Sequence, residues 1–108
     1  MKIYRTAIVG ARRGVHHARA YQDLGNMEVV AICEIDDQRR AHAEAELNVA
    51  GYADYEEMLK QEQPDIVHAV TMPTVPRYIW IEPAAQADVR ALVIEKPIAL
   101  LNFLWEHK

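Results

Sequence analysis

Gly10, Arg12, Arg13 and Gly14, with Glu34 further along and Lys96 towards the end of the chain, are the residues whose types and spacing carry chemistry. In TAIVGARRGVHHARAY an apolar run stops at Gly10, the short basic stretch Ala11-Arg12-Arg13 follows, and a helical pattern begins. A glycine there lets the chain turn tightly into a helix whose free N–H groups and positive end attract phosphate. In a dinucleotide loop a second glycine two residues on admits the pyrophosphate to the backbone, and a third permits close helix–strand packing. Arg12 stands at the second position, and Gly14 comes one residue earlier than the usual third. Alone, the loop reads equally well as an ordinary strand–helix turn. The two arginines read equally well as solvated side chains or as bidentate phosphate ligands.

Glu34 ends the apolar run MEVVAIC about twenty residues beyond the loop, where an acidic side chain accepts hydrogen bonds from the hydroxyls of an adenosine ribose. A carboxylate there repels the 2′-phosphate of NADP and favours NAD, whereas Arg12 and Arg13 pull towards NADP. The alternative for Glu34 is a solvated carboxylate at a strand end. Glu95-Lys96-Pro97 follows the apolar run ALVI. A lysine at the carboxyl end of a parallel strand points into the crevice where such sheets bind ligands. Its ammonium can hydrogen-bond a substrate hydroxyl and, with a lowered pKa, take up a proton. An isolated lysine of this kind is more simply a surface loop residue.

These residues need elements to position them, and the chain supplies strand-like and helix-like segments in alternation. Thr6–Val9, Met27–Cys33, Asp65–Val70 and Ala91–Ile94 are near-continuous apolar runs of the kind found in strands buried on both faces. Between the first two, Val15, Ala18, Tyr21 and Leu24 recur at helical spacing before the stop Gly25-Asn26. Asp36 or Asp37 is placed to cap the helix QRRAHAEAEL. Asp54 is placed to cap YEEMLKQ with Glu57 completing a capping box, and Pro64 stops that helix. In the segment 76–87, Tyr78, Ile79, Ile81 and Ala85 suggest a helical face that Pro83 should kink or interrupt. The alternation predicts an α/β fold, a doubly wound parallel sheet with right-handed crossovers.

Composition narrows the classes. A chain of 108 residues, half of them hydrophobic, is one small globular domain. Twelve basic against sixteen acidic residues leave a net charge of −4, which argues against nucleic acid as a partner. No stretch approaches the roughly 20 apolar residues needed to cross a membrane, and the N-terminus does not look like a signal peptide. The one cysteine, Cys33, lies inside an apolar run and suits a reducing, cytoplasmic compartment.

IVGARRGVHHARAY, VVAICEID, GYADYEEML, PDIVHAVTMP and VIEKPIAL occur in the order and spacing of one family. Over residues 3 to 100 the chain resembles the N-terminal nucleotide-binding Rossmann domain of the Gfo/Idh/MocA oxidoreductases. The resemblance implies NAD, or NADP, as cofactor and hydride transfer to or from a sugar or polyol-type substrate. It implies that Gly10, Ala11, Arg12, Arg13 and Gly14 form the pyrophosphate loop and that Glu34 holds the ribose. Thr71 and Pro73 then line the nicotinamide side, with Met72 as an extra residue between them. Glu95, Lys96 and Pro97 match the family's EKP motif, whose lysine lies near the reacting carbon. His17, followed by Ala18, resembles a histidine-alanine pair that often opens the first helix and reads as packing or loop support. The family's histidine after the Thr-Pro pair is missing, and Val89 stands where a glycine usually ends the preceding helix.

Members of this family continue well past EKP into a substrate domain, whereas this chain reads IALLNFLWEHK and stops. The expectation is therefore a nucleotide-binding domain over residues 1–100, its sheet incomplete at the C-terminal end, an apolar tail over residues 101–108, and no substrate domain. That pattern suggests a truncated, catalytically incomplete form. Leu100, Leu101, Phe103, Leu104 and Trp105 would then offer a surface for oligomer contact. The rival readings are a short protein whose tail covers its own sheet, a non-catalytic or partner-completed nucleotide-binding module, and another Rossmann enzyme such as a methyltransferase.

Overall fold

The structure, a computed structural model, describes residues 2–70 and 78–94. The elements run β1 (Tyr4–Val9), α1 (Ala11–Gln22), β2 (Met27–Cys33), α2 (Asp37–Leu47), β3 (Ala50–Tyr52), α3 (Tyr55–Glu62), β4 (Ile66–Ala69), α4 (Tyr78–Gln86) and β5 (Ala91–Ile94). All pairings are parallel and the strand order is β3-β2-β1-β4-β5. The order reverses between β1 and β4, so the chain diverges at their carboxyl ends and leaves the crevice where doubly wound folds bind ligands.

The strand alternation divides the core into two layers. Ala7, Val9, Ala31, Cys33, Val67 and Ala69 face α3 and α4, where Tyr55, Met58, Leu59 and Trp80 cover them. Ile8, Val29, Ile32 and Val70 face α1 and α2, against Ala11, Ala18, Ala43 and Leu47. Val29 and Ile32 share a face although three residues apart. The β1–β2 register shifts between Thr6 and Ala7, so that Val29 pairs with Thr6 and Ala31 with Ala7. Val30 is the extra residue of this bulge, which re-phases the strand.

Three features differ from the sequence reading. β3 is an additional strand, too short and too exposed to show a period; it is held by Glu34 N–H donating to Tyr52 O at 2.8 Å. Pro83 does not interrupt α4. Pro83, the sixth residue of α4, has no N–H to give the carbonyl four residues earlier, yet the helix runs on to Gln86. Leu24 belongs to no helical face: it lies past the end of α1 and is 48% exposed. Val15, Ala18 and Tyr21 do face the core, joined there by the buried Ala11 and Gly14.

The caps match more closely. Asp36 Oδ1 accepts from Arg39 N–H at 2.9 Å and Asp54 Oδ2 from Glu57 N–H at 3.2 Å. The capping box is only half made, because the Glu57 carboxylate accepts from Gln61 Nε2 instead. Gln63, just before the buried Pro64, takes the left-handed conformation that ends α3. At the end of α4 the residue with positive φ is Asp88, one before Val89.

Small residues let α1 lie close to the sheet, and Gly14 sets the limit. A Cβ on Gly14 would lie 2.6 Å from Ile8 Cγ2, and Ile8 is fully buried and stiff at χ1. Gly14→Ala gains about 1 kcal/mol of helix propensity but overpacks this contact by about 1–3 kcal/mol. The expected result is a net loss near 1 kcal/mol, lowering the thermal midpoint by roughly 4–8 °C. An unchanged or raised midpoint would show that α1 has room to spare.

Candidate functional site

Gly10 leaves β1 at the switch point with φ 96° and ψ 108°, a conformation only glycine adopts without strain. Its N–H donates to Cys33 O at 2.8 Å, and Val70 N–H donates to Val9 O at 2.7 Å, so the ends of β1, β2 and β4 are joined at one edge. Glycine has no side chain with which to cap α1, and none caps it from that position.

Glu34 does so from the end of β2. Its Oε1 accepts from Ala11 N–H at 2.8 Å and its Oε2 from Asp36 N–H at 3.0 Å. The carboxylate therefore rests on the positive end of α1, where an anion is stabilised by both dipole and free donors. Arg40 Nη1 donates to Glu34 O at 3.0 Å and fixes the same turn from α2. Each carboxylate oxygen spends one acceptor position on backbone and retains another. That leaves capacity for ribose hydroxyls while the loop stays tied to β2.

The other residues of the loop divide by role. Arg12 and Arg13 sit exposed in the first turn of α1, where backbone N–H groups lack intrahelical acceptors. Gly14 is buried within the helix and serves helix–strand packing. Thr71, Pro73, Glu95, Lys96, Pro97 and the tail 101–108 lie outside the described residues. The strands that precede those motifs, β4 and β5, run parallel to β1, and their carboxyl ends lie at the same sheet edge as Gly10. Among the described residues there is no cluster of metal-ligating side chains and no helix long and apolar enough to cross a membrane.

One polar cluster was not foreseen from the sequence. His68 of β4 is buried, its Nδ1 lies 2.8 Å from Tyr21 Oη, and its ring lies 4.6 Å from that of His17. His17 thus has the packing role expected of it, and strand alternation in DIVHAV would have placed His68 on the α1 side. Cys33 is buried beside the loop. Desolvation, with Asp54 and Glu34 nearby, pushes its thiol up to about 12. It is a packing residue rather than a nucleophile.

A parallel sheet of this order, with a glycine turn and an acidic residue on the adjoining strand at its switch point, defines a Rossmann-type dinucleotide-binding domain. A family profile described as an oxidoreductase family with an NAD-binding Rossmann fold, GFO_IDH_MocA, matches residues 4–104, and the chain belongs to that family. The chain is 35% identical over 102 residues to a D-apiose dehydrogenase of Paraburkholderia graminis, covering 93% of this chain and 27% of that protein. Its fold matches myo-inositol 2-dehydrogenase of Lactobacillus plantarum with a TM-score of 0.75 at 30% identity, over 89% of this chain and 29% of that one. It also matches the WlbA dehydrogenase of Bordetella pertussis, crystallised with NADH and UDP-GlcNAcA, with a TM-score of 0.79 at 30% identity over 89% and 29% of the two chains. The chain spans less than a third of the length of these relatives.

Two measurements check the local geometry. Glu34→Ala removes an anion from the end of α1 and strands two N–H groups, so it should cost about 2 kcal/mol in urea unfolding, with Glu34→Gln losing about half as much. Equal stability of all three forms would deny Glu34 its capping role. Cys33 should react with iodoacetamide at pH 8 roughly a thousandfold more slowly in the native chain than in denaturant, because its thiol ionises only near 12. Rapid native alkylation would contradict the burial.

Proposed function

We propose that residues 1–100 bind NAD(H) across the β1–β4 switch point, with Gly10, Ala11, Arg12, Arg13 and Gly14 around the pyrophosphate and Glu34 on the adenosine ribose. The observation that supports this reading is the Glu34 carboxylate seated on the N-terminus of α1, an acidic acceptor held beside the turn at Gly10. The turn at Gly10 and the exposed first turn of α1 suit a dinucleotide on the same grounds. Thr71, Pro73, Glu95 and Pro97 are assigned to the nicotinamide side, and Lys96 is assigned proton movement at a substrate hydroxyl. Bound nicotinamide supplies a hydride acceptor for a carbinol carbon.

The substrate class is read as sugar or polyol-type, supported by the D-apiose and myo-inositol dehydrogenases among the relatives. Because the chain spans less than a third of those proteins, the 108-residue polypeptide is expected to bind cofactor and turn over little substrate. The partner-completed module is supported by the same coverage together with the apolar residues Leu100, Leu101, Phe103, Leu104 and Trp105, which would serve as its contact. A reducing cytoplasm is the proposed compartment, in keeping with the single buried thiol.

Fluorescence titration with NADH tests the binding step. Wild type should give a saturable signal, and Glu34→Gln should weaken it about tenfold while remaining folded. Glu34→Ala is the poorer probe, since it also unseats α1. Absence of saturable binding by wild type rejects the dinucleotide assignment, and equal affinity of Glu34→Gln rejects the ribose role alone.

A further inference from the structure

We propose that Tyr21 and His68 are positioning residues for the bound dinucleotide. Their hydrogen bond locks α1, whose first turn offers N–H groups to the pyrophosphate, to β4, the strand that leads into the nicotinamide side. This rests on the dinucleotide reading above and adds to it a coupling between the two halves of the cofactor. Tyr21 Oη and His68 Nδ1 lie 2.8 Å apart, and the two rings meet nearly edge to face at 5.7 Å. The His17 ring packs on the same imidazole at 4.6 Å. His17 and Tyr21 stand one helical turn apart on α1, so the helix grips His68 at two points.

His68 is out of keeping with its row of the sheet. In register it stands between Ile8 and Val93, with Ile32 beyond Ile8, so it is the polar member of an otherwise apolar row. It is 4% exposed, and an imidazole buried there costs more than an aliphatic side chain unless it is hydrogen-bonded. What the imidazole adds is direction. Gly14 against Ile8 sets how close α1 lies to the sheet, but an apolar contact does not fix where the helix rests along it. A hydrogen bond does, because it weakens steeply with distance and angle. The helix is thereby held at both ends, by Ala11 N–H on Glu34 after β2 and by Tyr21 on His68 in β4. β2 and β4 flank β1, so α1 bridges the switch point. The adenosine is assigned to the β2 side and the nicotinamide to the residues that follow β4, and this bridge sets the span between them. Tyr21 lies roughly 15 Å along the helix from Ala11, so it acts on the cofactor through α1 rather than by touching it.

The test is a calorimetric titration of the 108-residue polypeptide with NADH and with 5′-ADP, for wild type, Tyr21→Phe and His68→Asn. Tyr55→Phe serves as a control that removes a hydroxyl hydrogen bond from the opposite layer. Wild type should bind NADH about tenfold more tightly than 5′-ADP. Tyr21→Phe should cut that ratio about fivefold while its affinity for 5′-ADP stays within about twofold of wild type. His68→Asn, whose amide can stand in for Nδ1, should keep most of the ratio. Tyr55→Phe should lower the thermal midpoint and leave the ratio unchanged. A wild-type ratio near one, a ratio unmoved by Tyr21→Phe, or a ratio lowered as much by Tyr55→Phe overturns the coupling and leaves the NAD reading standing. Failure of wild type to bind either nucleotide overturns both.

Discussion

The hydrogen bond from Ala11 N–H to Glu34 Oε1 ties the start of α1 to the end of β2. A glycine is needed at position 10 to turn the chain at φ 96°, and a glycine cannot cap the helix it starts. The missing acceptor is supplied across the sheet edge, from the strand that pairs with β1. That strand then turns into α2, whose cap Asp36 donates its own N–H to the same carboxylate. One anion thus satisfies a helix end and closes the β2–α2 turn. A carboxylate held by two backbone N–H groups has its side chain restricted before any further contact is made.

This arrangement requires α1 to lie close and steady on the sheet. Ala11, Gly14 and Ala18 face inwards, Gly14 against the methyl of Ile8, and the bulge at Val30 turns Ile32 to the same side. Further along the helix, Tyr21 and His17 contact His68 on β4 and fix the helix across the switch point. The opposite layer is sealed by Tyr55 and Trp80, whose rings meet edge to face at 5.0 Å while Tyr55 Oη donates to Trp80 O at 2.9 Å. A loop seated between two such layers holds its N–H groups in fixed directions, which is what preorganised anion binding demands.

Most of the sheet was legible in the sequence because buried parallel strands are written as apolar runs. Met27–Cys33 and Ala91–Ile94 fall on the observed strands, while the reading of Asp65–Val70 overran β4 at both ends. β3 escaped because three residues carry no period and its pairing partner lies on another segment. α4 runs on through Pro83, its sixth residue, where the sequence pattern had suggested a kink or an interruption. At the site, Gly10 and Glu34 were visible from type and spacing. The capping role of Glu34 was not, since a contact between a side chain and a backbone group 23 positions away leaves no mark in local pattern.

The arginine at position 12 looked like a defect when the loop was compared with a glycine-rich template. In the folded chain the demands on the loop separate. Gly10 meets the conformational demand, through its positive φ, and Gly14 meets the spatial one, through its approach to Ile8. Position 12 faces neither constraint: it is exposed in the first turn of α1 and borders the groove shared with α2. A glycine there would free the backbone at a cost in helix propensity of about 1 kcal/mol and contribute no charge. An arginine keeps the turn helical and places an exposed cation beside the helix end that Glu34 caps. The departure from the template thus falls at the one loop position that neither the turn nor the packing constrains, while the turn and packing glycines on either side keep their places.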